Sequence, residues 1–277
     1  MPGWEEELAL KRRRMVEEQV RRRGVRDTAV LGALERVPRH LFVPEEVLDL
    51  SYEDRPLPIG KEQTISQPYI VGTMTEALEL GPDDRVLEIG LGSGYQAAVL
   101  SELARDVYTV EIVPELARRS MRLLTELGYG NVHVRIGDGR LGWPEEAPFD
   151  AILATAAPLE VPPALLEQLA AGGRMVIPIG QDVQDLRRMR KPAGGGPPVV
   201  ESLMPVRFVP MTGRDVEAGF SAPPSDLGAG GVAEAGPPPD PDASPGSGTP
   251  PGTGRPSEPG AASEPGTPSE PGAPSEP

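Results

Sequence analysis

A regular alternation of apolar runs and helical segments between residues 84 and 180 limits what this chain can fold into more than any other feature. The predicted strands are Arg85–Ile89, 107–111, Val132–Ile136, Phe149–Ala154 and 174–178, with one more at 206–210. The predicted helices are 96–104, 114–127 and 163–169, the last closed by Gly172-Gly173. Strands that alternate with helices at this spacing favour a parallel sheet with right-handed crossovers. We therefore predict an α/β fold built on a doubly wound, mostly parallel sheet of the Rossmann-like type.

Two further regions flank this alternating segment. Residues 1–50 are predicted to be helical, because apolar residues such as Leu10, Val16 and Val20 recur between charged ones. From about residue 214 onward the composition changes to Gly, Pro, Ser, Ala and Glu, with repeats of Ser-Glu-Pro-Gly. Such a segment has too little apolar surface to offset its ordering entropy. We expect an N-terminal helical region at 1–50 packed on the core, a catalytic core at 51–213 and a disordered tail at 214–277.

Composition excludes several kinds of site. The chain has no cysteine and only two histidines, His40 and His133, so it lacks the material for a disulfide framework or a histidine-rich metal site. We predict no metal. The net charge is −15 without a basic face, which argues against a nucleic-acid partner. No apolar run approaches the roughly 20 residues of a membrane span, and the N-terminus lacks the apolar core of a secretory signal. We expect no membrane partner and a cytoplasmic location.

A glycine-rich loop follows the first strand of the alternating segment. Its glycines, Gly90, Gly92 and Gly94, fall as G-x-G-x-G, and Tyr95 stands where a dinucleotide-binding fingerprint has its third glycine. Glu88 lies two positions before the first glycine and completes E-x-G-x-G-x-G, the pattern of S-adenosyl-L-methionine-dependent methyltransferases. We predict that this loop lies next to the methionine portion of S-adenosyl-L-methionine. An NAD-dependent oxidoreductase is the weaker alternative.

Two later strand ends carry residues that suit the same cofactor. Glu111 ends the second strand, 21 positions after Gly90, where a carboxylate can accept hydrogen bonds from both ribose hydroxyls. The third strand is followed by Gly137, Asp138 and Gly139. A carboxylate at that point can accept a hydrogen bond from the adenine amino group, and the glycines leave space for the cofactor. Three such features at three consecutive strand ends reinforce one another.

The segment at 58–69 has no helical or strand period and is predicted to be a loop. Its residues Gln63-Thr64-Ile65-Ser66-Gln67-Pro68 resemble the signature of the protein-L-isoaspartate O-methyltransferase family. The similarity continues through the segments at 39–44, 88–96, 137–140, 155–158, 172–178 and 208–213, and it spans roughly residues 12–213.

The resemblance implies a reaction and a set of residues. The methyl group of S-adenosyl-L-methionine would pass to the free carboxylate of an L-isoaspartyl or D-aspartyl residue in damaged proteins and peptides. By the same resemblance, Ser66 matches the active-site serine of the family. The implied substrate-contacting residues are Thr64, Ile65 and Gln67. The implied cofactor contacts also include Ser93, Tyr95 and Thr212. We expect a monomer.

This sequence departs from the family pattern at two places. Lys61-Glu62 stands where smaller or glycine-containing sequence is expected, and Leu91 stands where the family often has a small or hydroxyl residue. These departures bear on substrate entry and on contacts at the methionine end of the cofactor. Two other functions stay open: a carboxyl methyltransferase that acts on a biosynthetic peptide, and a non-catalytic module that binds isoaspartyl peptides.

Overall fold

The computed structural model describes residues 3–213. The tail predicted at 214–277 lies outside these described residues. The helices are α1 (Trp4–Met15), α2 (Thr28–Arg36), α3 (Pro68–Ala77), α4 (Tyr95–Ser101), α5 (Pro114–Glu126) and α6 (Pro163–Gln168). The strands are β1 (Leu57–Gly60), β2 (Gln63–Ile65), β3 (Arg85–Ile89), β4 (Asp106–Glu111), β5 (Val132–Ile136), β6 (Phe149–Ala154), β7 (Leu169–Ile179), β8 (Gln184–Arg190) and β9 (Val199–Val206).

Seven of these strands form one sheet in the order β5-β4-β3-β6-β7-β8-β9. The five strands from β5 to β7 are parallel, and β8 and β9 continue the sheet antiparallel. This arrangement confirms the predicted α/β class with a mostly parallel sheet. From β3 the chain runs outward through β4 and β5, and then returns to the other side of β3 at β6. Ligands of open α/β sheets bind at such a reversal, beyond the carboxyl ends of the strands.

The N-terminal region is helical, as predicted. Helix α1 continues into a π-helical turn at Val16–Arg21, and two 3₁₀ turns at Arg39–Phe42 and Glu45–Leu50 follow α2. Met15, Val20 and Leu34 are almost fully buried in the same hydrophobic cluster as residues of β3, α3 and α4. These helices therefore pack on the face of the sheet that carries α4.

Two predictions about the second half of the sheet were wrong, and one strand was missed. Gly172 and Gly173 do not close a helix, because they lie inside β7, where the register with β6 shifts. Strand β8 was missed because its four charged residues hid an alternation in which Gln184, Leu186 and Met189 are buried. An antiparallel strand with one solvated face tolerates such charges. The last strand lies at Val199–Val206 and not at 206–210.

No helix within residues 3–213 is long and apolar enough to cross a membrane. Over the same residues, no group of three or more His, Asp or Glu side chains is placed to hold a metal ion.

Candidate cofactor and substrate site

The glycine loop at the end of β3 has a backbone that other residues could not adopt without strain. Gly90, Gly92 and Gly94 have φ values of +97°, +52° and +88°, in the left-handed region that favours glycine. A Cβ at Gly90 would also collide with the Thr155 hydroxyl, which donates a 2.6 Å hydrogen bond to the Gly90 carbonyl oxygen. The loop therefore turns sharply at the carboxyl end of β3, and its three glycines place no side chains there.

Glu111, at the end of β4, is bonded directly to this loop. One carboxylate oxygen accepts a 2.8 Å hydrogen bond from the Gly92 N–H, and the other accepts one of 2.8 Å from the Val113 N–H. The side chain is 5% exposed. A carboxylate has about four acceptor positions, so both oxygens can still accept from a ligand hydroxyl. The predicted ribose-binding acid therefore lies beside the glycine loop and retains acceptor capacity.

The end of β5 adds the third predicted feature. A Cβ at Gly139 would collide with the Ile89 side chain, so glycine lets this turn approach the end of β3. The Asp138 carboxylate accepts a hydrogen bond from the Arg140 N–H at 2.9 Å and forms an ion pair with the Arg140 guanidinium at 2.8 Å. Because β3, β4 and β5 are adjacent and parallel, Gly90, Glu111 and Asp138 lie along one edge of the sheet.

Thr212 comes to the same edge from the C-terminal side of the described chain. The Met211 N–H donates to the Ala157 carbonyl oxygen at 2.8 Å, which joins this segment to the loop after β6. Gly213 lies so close to the Arg140 guanidinium that a Cβ there would collide with it. Thr212 itself is exposed.

Glu88 lies beneath the glycine loop and not on its surface. The side chain is fully buried, and one carboxyl oxygen accepts a 2.5 Å hydrogen bond from the Thr109 hydroxyl. The other oxygen has no hydrogen-bond partner within residues 3–213. Burial raises the pKa of Glu88 to about 8, while the Thr109 hydrogen bond opposes the shift and the charge of Glu111 adds to it. The Glu88 side chain therefore lies in the core two residues before the loop and bonds β4.

The side chain of Tyr95 also lies away from the crevice. It is 1% exposed, stacks under the buried Arg39 guanidinium at 4.9 Å and packs edge-on against Phe42. Burial raises the pKa of the Tyr95 phenol to about 12. Ser93 accepts a 3.2 Å hydrogen bond from the Tyr95 N–H through its hydroxyl oxygen, at the start of α4. Tyr95 thus joins the loop to the N-terminal helices, a role that its place in the motif did not indicate.

Leu91 is likewise buried, 3% exposed, and belongs to the hydrophobic cluster. Its side chain packs in the core, and the departure from the family pattern at this position is a packing difference.

The segment predicted to be a loop at 58–69 is instead a β-hairpin followed by a helix. Strands β1 and β2 pair antiparallel, and α3 begins at Pro68. The prediction failed because the strands have only four and three residues, too few to show a period. Ser66 lies between β2 and α3 and is half-buried. Thr64 is exposed and Ile65 is buried. Gln67 donates a 3.0 Å hydrogen bond to the Asp54 carbonyl oxygen.

The hairpin packs against the glycine loop. Ile59 is 1% exposed, and its Cδ1 lies 3.5 Å from the position that a Cβ of Gly92 would take. The segment that carries Ser66 is therefore a neighbour of the predicted cofactor loop.

Two residues of this region were missed from the sequence. Ile112 directly follows Glu111 and is 38% exposed, unusual for a large apolar side chain at a strand end. Ser120 on α5 is buried and donates a 2.7 Å hydrogen bond to the Gly92 carbonyl oxygen. An apolar residue directly after a strand-end acid was the available signal for Ile112. Nothing in the local sequence singles out Ser120.

The donor set fits S-adenosyl-L-methionine. A glycine loop with left-handed φ values follows β3, an acid with acceptor capacity ends β4, and a second acid follows β5. On a mostly parallel sheet with this strand order, these features define a class: the chain is an S-adenosyl-L-methionine-dependent methyltransferase.

Comparison with known proteins narrows the class to a family. The family model described as Protein-L-isoaspartate(D-aspartate) O-methyltransferase matches residues 10–216. The chain belongs to this family. Protein-L-isoaspartate O-methyltransferase of Gloeobacter violaceus is 57% identical over 198 residues, which cover 72% of this chain and 97% of the relative. That of Opitutus terrae is 58% identical over 203 residues, 73% of this chain and 86% of the relative.

Solved structures agree with these relatives. A structure described as a protein-L-isoaspartate O-methyltransferase is 31% identical with a TM-score of 0.65, over 73% of this chain and 66% of that one. A Plasmodium falciparum structure, described as a protein of the same kind in complex with S-adenosyl-L-homocysteine, is 25% identical with a TM-score of 0.62. The match covers 73% of this chain and 98% of that one. The cofactor of this methyltransferase is S-adenosyl-L-methionine.

Proposed function

We propose that this enzyme methylates the free α-carboxylate of L-isoaspartyl residues, and the β-carboxylate of D-aspartyl residues, in damaged proteins. The resulting ester would close to a succinimide without the enzyme, and hydrolysis would return part of it to normal aspartate. One observation carries the proposal: the hairpin that bears Ser66 packs through Ile59 on Gly92 of the cofactor loop. The segment that is similar to the family's substrate signature thus adjoins the predicted cofactor site.

We assign the cofactor contacts to the three strand ends. Glu111 would accept hydrogen bonds from the ribose hydroxyls, which suits a carboxylate already fixed by two backbone N–H groups. Asp138 would accept from the adenine amino group. Ile112, exposed next to Glu111, would cover one face of the adenine. Glu88 would act from below by shaping the glycine loop.

The chemistry requires few groups from the protein. Bound S-adenosyl-L-methionine supplies a methyl group on a positively charged sulfur. The substrate carboxylate is already ionised at neutral pH, so no general base is needed. The site must hold the carboxylate oxygen in line with the methyl carbon and the sulfur. It must also exclude water, because water stabilises the carboxylate and sulfonium charges that disappear in the reaction. Positioning of this kind can lower a barrier by several kcal/mol.

Ser66 is the residue to which we assign the orientation of the substrate. Its hydroxyl can donate one hydrogen bond to the carboxylate. It would not act as a nucleophile, because a serine nucleophile needs an adjacent base. Both histidines have other contacts: His40 bonds the Tyr52 hydroxyl at 2.7 Å and His133 bonds Asp106 at 3.3 Å.

A transfer assay tests the proposal. The full chain is incubated with methyl-labelled S-adenosyl-L-methionine and one of two peptides that differ only in an aspartyl or isoaspartyl linkage. We expect label in the isoaspartyl peptide alone, in a form that is released by mild base. Equal labelling of both peptides would favour a general carboxyl methyltransferase. Isoaspartyl-peptide binding without transfer would favour the non-catalytic module.

A further inference from the structure

The hairpin formed by β1 and β2 needs an anchor outside itself. Isolated two-stranded hairpins are marginal in water, and this one has strands of only four and three residues. Its turn residues Lys61 and Glu62 have φ values of +55° and +57°, which are unfavourable for residues other than glycine. The position of the hairpin therefore depends on what holds it to the rest of the molecule.

Part of that anchor is apolar, because Leu57, Ile59 and Ile65 are buried in the main hydrophobic cluster, and helix α5 adds polar contacts. Arg119 donates a 3.1 Å hydrogen bond from Nη1 to the Ile59 carbonyl oxygen on β1. The next residue, Ser120, donates to the Gly92 carbonyl oxygen. Two consecutive side chains of one helix thus bind the substrate hairpin and the cofactor loop.

We propose that Arg119 is a positioning residue that sets the place of Ser66 relative to the cofactor, an inference that rests on the proposed function. Antiparallel pairing of Leu57 with Ile65 fixes the end of β2 relative to β1, and Ser66 follows directly. An anchor on the Ile59 carbonyl therefore constrains Ser66 as well. Errors of about 1 Å in such positions can slow a reaction by up to about 100-fold.

An ion pair between Lys61 and Glu115 also joins the hairpin tip to α5. Glu115 lies four residues before Arg119, so both side chains occupy the same face of the helix and both contact the hairpin. The ion pair is half exposed at both ends, with side-chain exposures of 52% and 63%. Salt screens exposed pairs of this kind, whereas a hydrogen bond to a backbone carbonyl is less affected. Of the two polar contacts between the hairpin and α5, the one made by Arg119 is thus the less sensitive to salt.

The test compares Arg119→Ala with two other variants of the full chain. Arg118→Ala is the matched control, because Arg118 is an exposed neighbour without a hydrogen bond or ion pair to the described residues. Arg119→Lys retains a donor that can reach the same carbonyl. The measurements are kcat on an isoaspartyl peptide at low and high salt, the affinity for S-adenosyl-L-methionine, and amide exchange at residues 57–66.

We expect Arg119→Ala to lower kcat about fivefold at both salt concentrations, with cofactor affinity within about twofold of the unsubstituted enzyme. Arg119→Lys should restore at least half of kcat, and Arg118→Ala should behave like the unsubstituted enzyme. Unchanged kcat in Arg119→Ala, or an equal fall in Arg118→Ala, would overturn the proposal. If the unsubstituted chain transfers no methyl group, the proposed function fails. Amide exchange at residues 57–66 then tests by itself whether Arg119 anchors the hairpin. Faster exchange in Arg119→Ala than in Arg118→Ala supports it, and equal exchange refutes it.

Discussion

The glycine loop and the hairpin formed by β1 and β2 are neighbours, but different kinds of contact hold them in place. The loop is fixed through its backbone by Glu111, Ser120 and Thr155, the first two of which are buried. The hairpin is held by the burial of Leu57, Ile59 and Ile65 and, on its outer side, by an exposed ion pair at its tip and by Arg119.

This difference predicts that the two regions respond differently to substitution. Buried hydrogen bonds to a charged group contribute more to stability than exposed ion pairs do. The hairpin is a short element whose only contacts of that polar kind within residues 3–213 are the exposed ion pair and the Arg119 hydrogen bond to α5. We therefore expect changes around the loop to alter cofactor affinity and folding stability more than changes in the hairpin do, and changes that loosen the hold on the hairpin to alter mainly turnover.

The largest effect is expected at Glu111. Glu111→Ala removes the acceptor for the Gly92 and Val113 N–H groups as well as the proposed ribose contact. We expect the affinity for S-adenosyl-L-methionine to fall by about 1.5–3 kcal/mol, measured by titration calorimetry. Glu126→Ala, which removes an exposed carboxylate at the C-terminal end of α5, is the control and should bind S-adenosyl-L-methionine normally. Unchanged affinity in Glu111→Ala would refute the ribose assignment.

A pH-dependent effect is expected at Glu88. Its pKa is raised from 4.5 to about 8 by burial, so the folded protein keeps a proton that the unfolded chain releases above about pH 4.5. The free energy of unfolding should therefore fall as pH rises from about 4.5 to about 8 and then level off. Glu88→Gln mimics the neutral acid and should lack this fall.

Urea unfolding at about pH 5, 7 and 9 measures the free energy of unfolding of the unsubstituted protein and of the Glu88→Gln variant. Burial lowers the pKa of His40, which gives the opposite slope below about pH 6.5, but this contribution is common to both proteins and cancels. A constant difference in the free energy of unfolding between the two proteins across this range would show that Glu88 is ionised in the native state.

A smaller effect is expected in the hairpin turn. Glu62→Gly relieves a left-handed φ of +57° and should raise the free energy of unfolding by up to about 1 kcal/mol, because glycine adopts this conformation without a steric penalty. Glu62→Ala, which removes the side chain but keeps the strain, serves as the control. Thermal or urea unfolding measures both. A loss of stability in Glu62→Gly would show that the glutamate side chain stabilises the turn.

The same two regions differ in how far the sequence predicted them. Strands β3, β5 and β6 match their predicted bounds: β3 and β6 are nearly continuous buried runs, and β5, a half-exposed edge strand, has a glycine directly after its last residue. Glu111 and Asp138 therefore lie where the spacing put them. The hairpin was not predicted, since its turn has no glycine at the two central positions and its strands are short. The burial of the Glu88 and Tyr95 side chains depends on packing against β4 and the N-terminal helices, which a local pattern does not contain.

Ser66 tests the central claim most directly, namely that the hairpin orients the substrate while the strand ends hold the cofactor. The measurement is kcat of Ser66→Ala on an isoaspartyl peptide, with the affinity for S-adenosyl-L-methionine determined separately. We predict that kcat falls at least about tenfold, which corresponds to about 1.4 kcal/mol of barrier, and that cofactor affinity barely changes. An unchanged kcat would contradict the role of Ser66. A fall in cofactor affinity that accounts for the lost activity would contradict the assignment of substrate orientation to the hairpin and of cofactor binding to the strand ends.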